Sequence, residues 1–236
     1  KFADAYGIVR KPFYAFSLTP FSIISAFSVG TELFSVALLQ LFLVELKKPV
    51  KAGILYGLAT LLRYSNFIYI FLFAFQRNLR RIFLALTLFF VAFIPWLLYN
   101  WYITGDALTG IADFYALNFY FRSFIRIDSF NMLDILIAWN MLLPFFVFVI
   151  FRFIRSKKIP ENDFVMFAFL SLTVLSYSLA VFKESRFLYA SVISLAYFAC
   201  TITGKYSKHI ICVFVAVSLL LLFFIPSGLE NPSLYK

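Results

Sequence analysis

A short charged stretch lies between two long apolar runs in the last third of the chain. The sequence FKESRFLY, residues 182–189, places Lys183, Glu184 and Arg186 within four positions of one another. An arginine guanidinium can bind two phosphate oxygens at once, and a lysine ammonium adds a point charge beside it. A carboxylate next to such cations can orient them or accept a proton. These residue types predict a site for a phosphate group, bound by Lys183 and Arg186, with Glu184 as the orienting residue.

A structural interpretation of the same stretch stays open at this point. The three charges can cap a tight turn between two helices, with Glu184 paired to Lys183 or Arg186. The elements that flank the stretch therefore decide between a binding site and a simple turn.

The composition places these elements in a membrane. Of the 236 residues, 63% are hydrophobic and 14% are charged, and mean hydropathy is +0.92; soluble domains keep about 25% charged residues. Apolar segments of roughly 16 to 22 residues recur along the chain, among them 31–46, 82–103, 132–151 and 164–182, as in membrane-spanning helices. The sequence has no glycine-rich phosphate loop, no zinc-ligand spacing and no serine or cysteine nucleophile beside a histidine. We expect an all-α, multi-pass transmembrane helical bundle that forms one polytopic domain over residues 1–236.

The cations predict the orientation of this bundle. Most of the 21 Lys and Arg residues fall in short clusters between apolar runs: RKP (10–12), KKPVK (47–51), RNLRR (77–81), RFIRSKK (152–158) and GKYSKH (204–209). Cytoplasmic connections of membrane proteins carry such an excess, and these cations can also contact anionic lipid headgroups. We therefore assign all five clusters to the cytoplasmic side and expect no nucleic-acid partner for the net charge of +10.

This orientation requires short paired half-helices. Residues 52–76 must leave the cytoplasmic side and return to it, which predicts two short helices that turn at RYSN, residues 63–66. One long helix with Arg63 buried midway is the alternative, but it would put the clusters at 47–51 and 77–81 on opposite sides. Residues 13–46 form a similar pair that turns at VGTE, residues 29–32. The segment 104–131 is one long extracytoplasmic loop, and its aromatic residues predict an interfacial helix.

With this topology the unusual polar residues gather on the extracytoplasmic side. They are Glu32, Arg63, Asn66, Asn100, Asp106, Asp113, Arg122, Arg126, Lys183, Glu184 and Arg186. Ionisable groups near apolar helices are costly and usually serve a partner or substrate. Ordinary roles also stay open: Glu32 can be a first-turn acid favoured by the helix dipole, and Arg63 can extend to lipid headgroups.

Four stretches, in order, resemble the GT-C superfamily of membrane glycosyltransferases, specifically its polyprenyl-phosphate-mannose-dependent mannosyltransferases. FKESRFLYASVISLAYFA is similar to their His-Lys-Glu-x-Arg-Phe segment, with Phe182 in place of the histidine. FSVGTELFSVALL resembles their Asn-x-x-Glu-Thr-like turn, and AGILYGLATLLRYSN their Gly-Leu-Ala…Arg half-helices. PWLLYNWYITGDAL resembles their Tyr-Asn…Gly segment. The match covers nearly the whole chain.

The resemblance implies a multi-pass enzyme whose active site opens to the lumen or exterior and which transfers a sugar from a lipid-linked phosphate donor with inversion. Lys183, Arg186 and Arg63 would bind the donor phosphate, and Glu184 would orient them. The family's catalytic acid lies in a first extracytoplasmic loop that would precede Lys1, so we expect this chain to be the C-terminal portion of a longer module. Glu32 is the candidate acid within it.

These expectations lead to one predicted function, sugar transfer, and to one alternative. We expect transfer of a hexose such as mannose from a polyprenyl-phosphate donor to a glycan, lipid or protein acceptor, with Asp106, Asp113 and Arg122 on the acceptor side. The location would be the plasma membrane of a prokaryote or the ER membrane. No cofactor is identified, although a divalent cation is compatible with the site. The alternative is a non-catalytic scaffold or a transporter of lipid-linked substrates.

Overall fold

The computed structural model describes residues 1–20, 22–23, 31–117, 132–156, 158–180, 188–203 and 207–224. Regular structure within these ranges is entirely helical, as the sequence predicts. The α-helices are α1 (Phe2–Ala5), α2 (Arg10–Phe16), α3 (Glu32–Val44), α4 (Pro49–Leu62), α5 (Leu79–Thr104), α6 (Thr109–Tyr115), α7 (Met132–Trp139), α8 (Leu143–Arg155), α9 (Glu161–Leu179), α10 (Val192–Thr203) and α11 (Ser207–Phe224). Three 3₁₀ helices span Tyr64–Gln76, Asn140–Leu142 and Tyr189–Ser191.

The turn at RYSN is present, and the single long helix is wrong. Helix α4 ends where Arg63 adopts an extended conformation (φ −148°, ψ 110°), and the 3₁₀ helix Tyr64–Gln76 follows at once. The two halves run side by side because the Tyr56 hydroxyl donates to the carbonyl of Phe67 at 2.7 Å. At the far end, the Gln76 amide donates to the Leu46 carbonyl at 3.1 Å. The chain therefore leaves one end of the molecule before α4 and returns to it after Gln76.

Helix α5 then runs parallel to α4 at very short range. A Cβ atom added at Gly53 would lie 2.4 Å from the Ala85 carbonyl oxygen, and one at Gly57 would lie 2.6 Å from the Ala92 Cβ. Glycines four residues apart on one helix face let two apolar helices approach until their backbones touch. The pair Gly53 and Gly57 thus fixes how α4 sits on α5.

Cations from separate connections meet at the end where α4 and α5 begin. The Lys47 ammonium lies 3.1 Å and the Arg77 guanidinium 3.3 Å from the carboxylate of Glu161, the first residue of α9. Arg63 lies at the other end of α4, which is about 21 Å away for 14 residues at the α-helical rise. We call these the basic end and the Arg63 end.

A buried acid fastens three helices near the basic end. Asp163, in the first turn of α9, is 4% exposed. Its carboxylate accepts hydrogen bonds from Arg152 of α8 and from the Tyr197 hydroxyl of α10, both at 2.6 Å. The cluster at 152–158 was predicted only as a cytoplasmic connection, so the contact of Arg152 with a buried acid was not expected.

The apolar run predicted at 132–151 is interrupted. Asn140 has a positive φ of 50° and begins a short 3₁₀ turn between α7 and α8. Its buried side-chain amide donates to the Ser218 hydroxyl of α11. Backbone breaks inside apolar segments are tolerated where neighbouring helices supply such partners.

Two described helices are long and apolar enough to cross a membrane: Leu79–Thr104 and Glu161–Leu179. Four shorter apolar helices accompany them, at Glu32–Val44, Pro49–Leu62, Tyr189–Thr203 and Lys208–Leu222. Helix α5 turns many large apolar side chains outward, with Leu79 83%, Phe83 74% and Tyr102 86% exposed. The first half of the predicted turn at 29–32, residues 29 and 30, and the second half of the predicted interfacial segment, residues 118–131, lie outside the described residues.

Candidate functional site

A small polar pocket opens at the Arg63 end, between α3, the turn after α4, and α9. It is lined by Ser35, Val36, Leu39, Arg63, Ser65, Asn66, Tyr69, Ser176 and Ala190. The enclosed cavity is about 10 Å³, which is room for about one water molecule, and it lies at the bottom of an open depression of about 310 Å³. The Arg63 guanidinium and the serine hydroxyls of this lining can donate hydrogen bonds to an anion.

Glu32 and Arg63 form a pair at the edge of this pocket. A guanidinium nitrogen of Arg63 lies 3.9 Å from a carboxylate oxygen of Glu32, and both side chains are largely shielded, at 15% and 18% exposure. The distance is too long for a hydrogen bond, so the attraction between them is electrostatic. The sequence placed both residues on one side of the molecule, and the structure brings them together.

Glu32 also begins α3, the position that an ordinary first-turn acid would take. Three residues later on the same helix face, Ser35 contributes to the pocket. The spacing of three was visible in the sequence, because residues i and i+3 share a helix face. It was the one signal that could have identified Ser35.

Two side chains fix the turn that carries Arg63. The Asn66 amide donates to the Ser35 hydroxyl at 2.6 Å and to the Ala59 carbonyl at 2.7 Å. The Tyr56 hydroxyl donates to the carbonyls of Asn66 and Phe67. These bonds join α3, α4 and the 3₁₀ helix, so that the backbone on either side of Arg63 is fixed before any ligand arrives.

Tyr69 connects the pocket to α9. Its hydroxyl lies 2.8 Å from the Thr173 hydroxyl, and its ring stacks on Phe169 with the centroids 4.5 Å apart. Ser176 lies on the same helix, one turn further on, and lines the pocket. Tyr69 and Ser176 were not predicted as site residues, because only the packing of the 3₁₀ helix against α9 brings them to the site.

The charged stretch FKESRFLY, residues 182–189, is flanked by residues that line the pocket. Lys183, Glu184 and Arg186 lie outside the described residues, as does Arg122. Ser176 precedes the stretch and Ala190 follows it, and both line the pocket. The described chain on each side of residues 181–187 therefore reaches the Arg63 end.

Asp106 and Asp113 lie at the Arg63 end, outside the pocket. Asp106 is exposed and its carboxylate accepts from the Leu108 backbone amide at 2.9 Å, which stabilises the turn before α6. Asp113 lies on the exposed side of α6. This short helix packs on α5 through Gly110, against the ring of Trp96, and Tyr64 contacts both Trp96 and Phe114.

The described residues contain no group of three His, Cys, Asp or Glu side chains that could hold a metal ion. The pocket as described offers one cation, one amide and several hydroxyls. Such a lining can bind and orient a phosphate or a hydroxylated ligand. No protein-family model, curated protein or solved structure matches this chain.

Proposed function

We propose that this chain is a multi-pass membrane glycosyltransferase of the GT-C type, or the C-terminal portion of one. It would transfer a hexose such as mannose from a polyprenyl-phosphate donor to an acceptor on the extracytoplasmic or lumenal face. The observation that supports this is the pocket around Arg63, which lies at the end opposite the basic end. A cation in a shielded, hydroxyl-lined pocket suits the phosphate of a donor whose lipid tail stays among apolar helices.

The charged stretch supplies the rest of the proposed phosphate site. Arg186 lies four residues before Ala190 in the sequence, and Lys183 lies seven residues after Ser176. Both flanking residues line the pocket, and this supports the proposal that Lys183 and Arg186 bind the same phosphate as Arg63. Glu184 would hold the cations in orientation.

In the proposed reaction, a carboxylate accepts the proton of the acceptor hydroxyl while its oxygen bonds to the anomeric carbon. The bond from that carbon to the phosphate oxygen breaks, and its electron pair leaves with the lipid phosphate. Arg63, Lys183 and Arg186 stabilise the departing charge, a role that preorganised cations perform efficiently. The proton acceptor would be an acid upstream of Lys1, or Glu32 within this chain.

The first test measures phosphate binding directly. The chain in detergent is titrated with a short polyprenyl phosphate, and binding is followed by native mass spectrometry. We expect specific binding to the wild type and at least tenfold weaker binding to Arg63→Ala, because a charge-assisted bond contributes about 1.5–3 kcal/mol. Arg77→Ala, an exposed arginine at the opposite end, is the control. Equally strong binding by Arg63→Ala and Arg77→Ala would contradict the role of Arg63 in phosphate binding.

The second test measures transfer. Membranes that contain the protein and their own acceptors are incubated with radiolabelled polyprenyl-phosphate mannose. We expect Arg186→Ala to abolish transfer while leaving expression intact; wild-type turnover in this variant would exclude the proposed role. Specific donor binding without transfer would instead favour the scaffold or transporter.

A further inference from the structure

The starts of α4 and α5 bring a second group of cations together at the basic end. Gly53 lies opposite Ala85 and Gly57 opposite Phe89, so a residue of α4 lies beside the residue numbered about 32 higher in α5. This register places Lys51 within about one helical turn of Arg80 and Arg81. We call these three residues the basic patch.

No close ion pair neutralises the basic patch within the part of the chain that the structure describes, although Lys51 attracts the Glu45 carboxylate from a longer distance. Lys51, Arg80 and Arg81 are exposed, and no ion pair among the described residues includes them. Two neighbouring cations, by contrast, already have partners. Lys48 lies 2.8 Å from the Glu45 carboxylate and lowers its pKa, and Arg77 is held by Glu161.

Large apolar side chains are exposed directly beside the basic patch. Leu79 precedes Arg80 and is 83% exposed, and Phe83 follows Arg81 and is 74% exposed. Val50, before Lys51, is 48% exposed. Side chains in this arrangement fit the boundary of a bilayer, where cations meet headgroup phosphates and apolar groups meet the acyl chains.

We propose that the basic patch binds the anionic phospholipid headgroups of a bilayer leaflet. The exposed Leu79 and Phe83 favour a lipid over a free phosphate, because a free phosphate gives apolar side chains no contact. The proposal rests on the membrane location in the proposed function, but it uses neither the Arg63 pocket nor sugar transfer.

The test compares lipids and variants. The chain in neutral detergent is titrated with phosphatidylglycerol or with phosphatidylcholine, and bound lipid is counted by native mass spectrometry. We expect at least a tenfold preference of the wild type for phosphatidylglycerol. In the triple variant Lys51→Gln/Arg80→Gln/Arg81→Gln we expect phosphatidylglycerol binding to weaken by about a hundredfold, since each cation near an anionic surface contributes roughly a fivefold factor.

A second triple variant, Lys11→Gln/Arg155→Gln/Lys158→Gln, removes the same number of exposed cations elsewhere and should keep most of the preference. An equal loss in both triple variants would show that net charge, and not the basic patch, attracts the lipid. Inorganic phosphate that displaces phosphatidylglycerol at low millimolar concentration would overturn the preference for a lipid, as would equal binding of the two lipids. A wild type that prefers phosphatidylglycerol but transfers no sugar would contradict only the proposed function.

Discussion

The contact between Glu32 and Arg63 sets what a ligand must do to enter the pocket. The two groups are 3.9 Å apart and mostly shielded from water. A phosphate that binds Arg63 competes with the Glu32 carboxylate for the same guanidinium. Glu32 therefore weakens anion binding in the empty site, and displacement from Arg63 would leave its carboxylate free to accept a proton.

This competition predicts opposite effects on binding and on turnover. Glu32→Gln should bind the short polyprenyl phosphate about threefold to tenfold more tightly, because the neutral amide no longer competes for Arg63. Transfer should fall in the same variant if Glu32 is the proton acceptor. Titration by native mass spectrometry and the radiolabel assay measure the two effects.

Glu45→Gln, which alters an acid at the basic end, should change neither quantity. Weaker binding by Glu32→Gln would contradict the competition and would show that Glu32 mainly holds Arg63 in position.

Among the helices, the closest packing is that of α4 on α5. We expect Gly53→Val to lower the thermal unfolding temperature in detergent, because its side chain would overlap the Ala85 carbonyl. Overpacking of this kind costs about 1–3 kcal/mol. Leu58→Val, at an outward-facing position of the same helix, is the matched control. Equal unfolding temperatures for the two variants would show that the helices separate easily.

The Asp163 contacts join α8, α9 and α10. The Asp163 carboxylate is buried, whereas the nearby Glu161 carboxylate, which pairs with Lys47 and Arg77, is more exposed. Asp163→Asn should destabilise the protein by about 1–3 kcal/mol, because it weakens two bonds to a buried acceptor. Glu161→Gln, two residues away and more exposed, should cost about 1 kcal/mol or less. Chemical unfolding monitored by tryptophan fluorescence measures both. A larger loss of stability in Glu161→Gln than in Asp163→Asn would show that the exposed pairs of Glu161 stabilise the protein more than the buried contacts of Asp163.

The Tyr197 hydroxyl shares the Asp163 carboxylate, which gives an independent check. The losses in Asp163→Asn and Tyr197→Phe should be less than additive in the double variant, since the first weakens and the second removes the same hydrogen bond. Full additivity would mean that the two side chains act separately.

Hydropathy alone predicted the helical class and the approximate extents of α3, α4, α5 and α9. The turn at Arg63 was also predictable, because cation clusters on both sides of residues 52–76 require the chain to return. The glycines at 53 and 57 were visible as a pattern, but their partner helix was not. The break at Asn140 gave no signal in an otherwise apolar run, since its partner Ser218 is 78 residues away in the chain.

Some residues of the candidate site could be predicted from the sequence and others could not. Glu32 and Arg63 could be selected because charges are rare in this sequence. Tyr69 and Ser176 could not, because hydroxyl residues are common in apolar helices and only tertiary packing distinguishes these two. Asp163 was not predicted as a buried residue, because it follows a connection rich in charge, where an acid is ordinarily exposed.

At the scale of the molecule, the charged groups of the described residues discussed above lie at two ends. Lys47, Arg77 and Glu161 meet at the basic end, and Arg63 with Asp106 marks the other. Apolar side chains, such as those on the outward face of α5, cover the length between them. This distribution fits a bundle whose two ends face different aqueous compartments.

Cysteine labelling tests that separation. In a background where Cys200 and Cys212 are replaced by serine, Arg81→Cys and Asp106→Cys are each treated with a membrane-impermeant maleimide on sealed, oriented vesicles. We expect the two positions to react from opposite sides, with Asp106→Cys on the extracytoplasmic side. Labelling of both from the same side would exclude the proposed topology.

The 3₁₀ helix Tyr64–Gln76 has a mechanical consequence. Its 13 residues extend about 26 Å at the 3₁₀ rise, whereas the same residues would extend about 20 Å as an α-helix. Winding into the α form would therefore shorten the segment by about 6 Å and rotate one end relative to the other. Gln76 is tied to the Leu46 carbonyl at one end of the segment, and the Asn66 amide is tied to Ser35 and Ala59 near the other end. Winding into the α form would therefore have to break the hydrogen bonds at one of these two ends, so the two anchors together favour the longer 3₁₀ form.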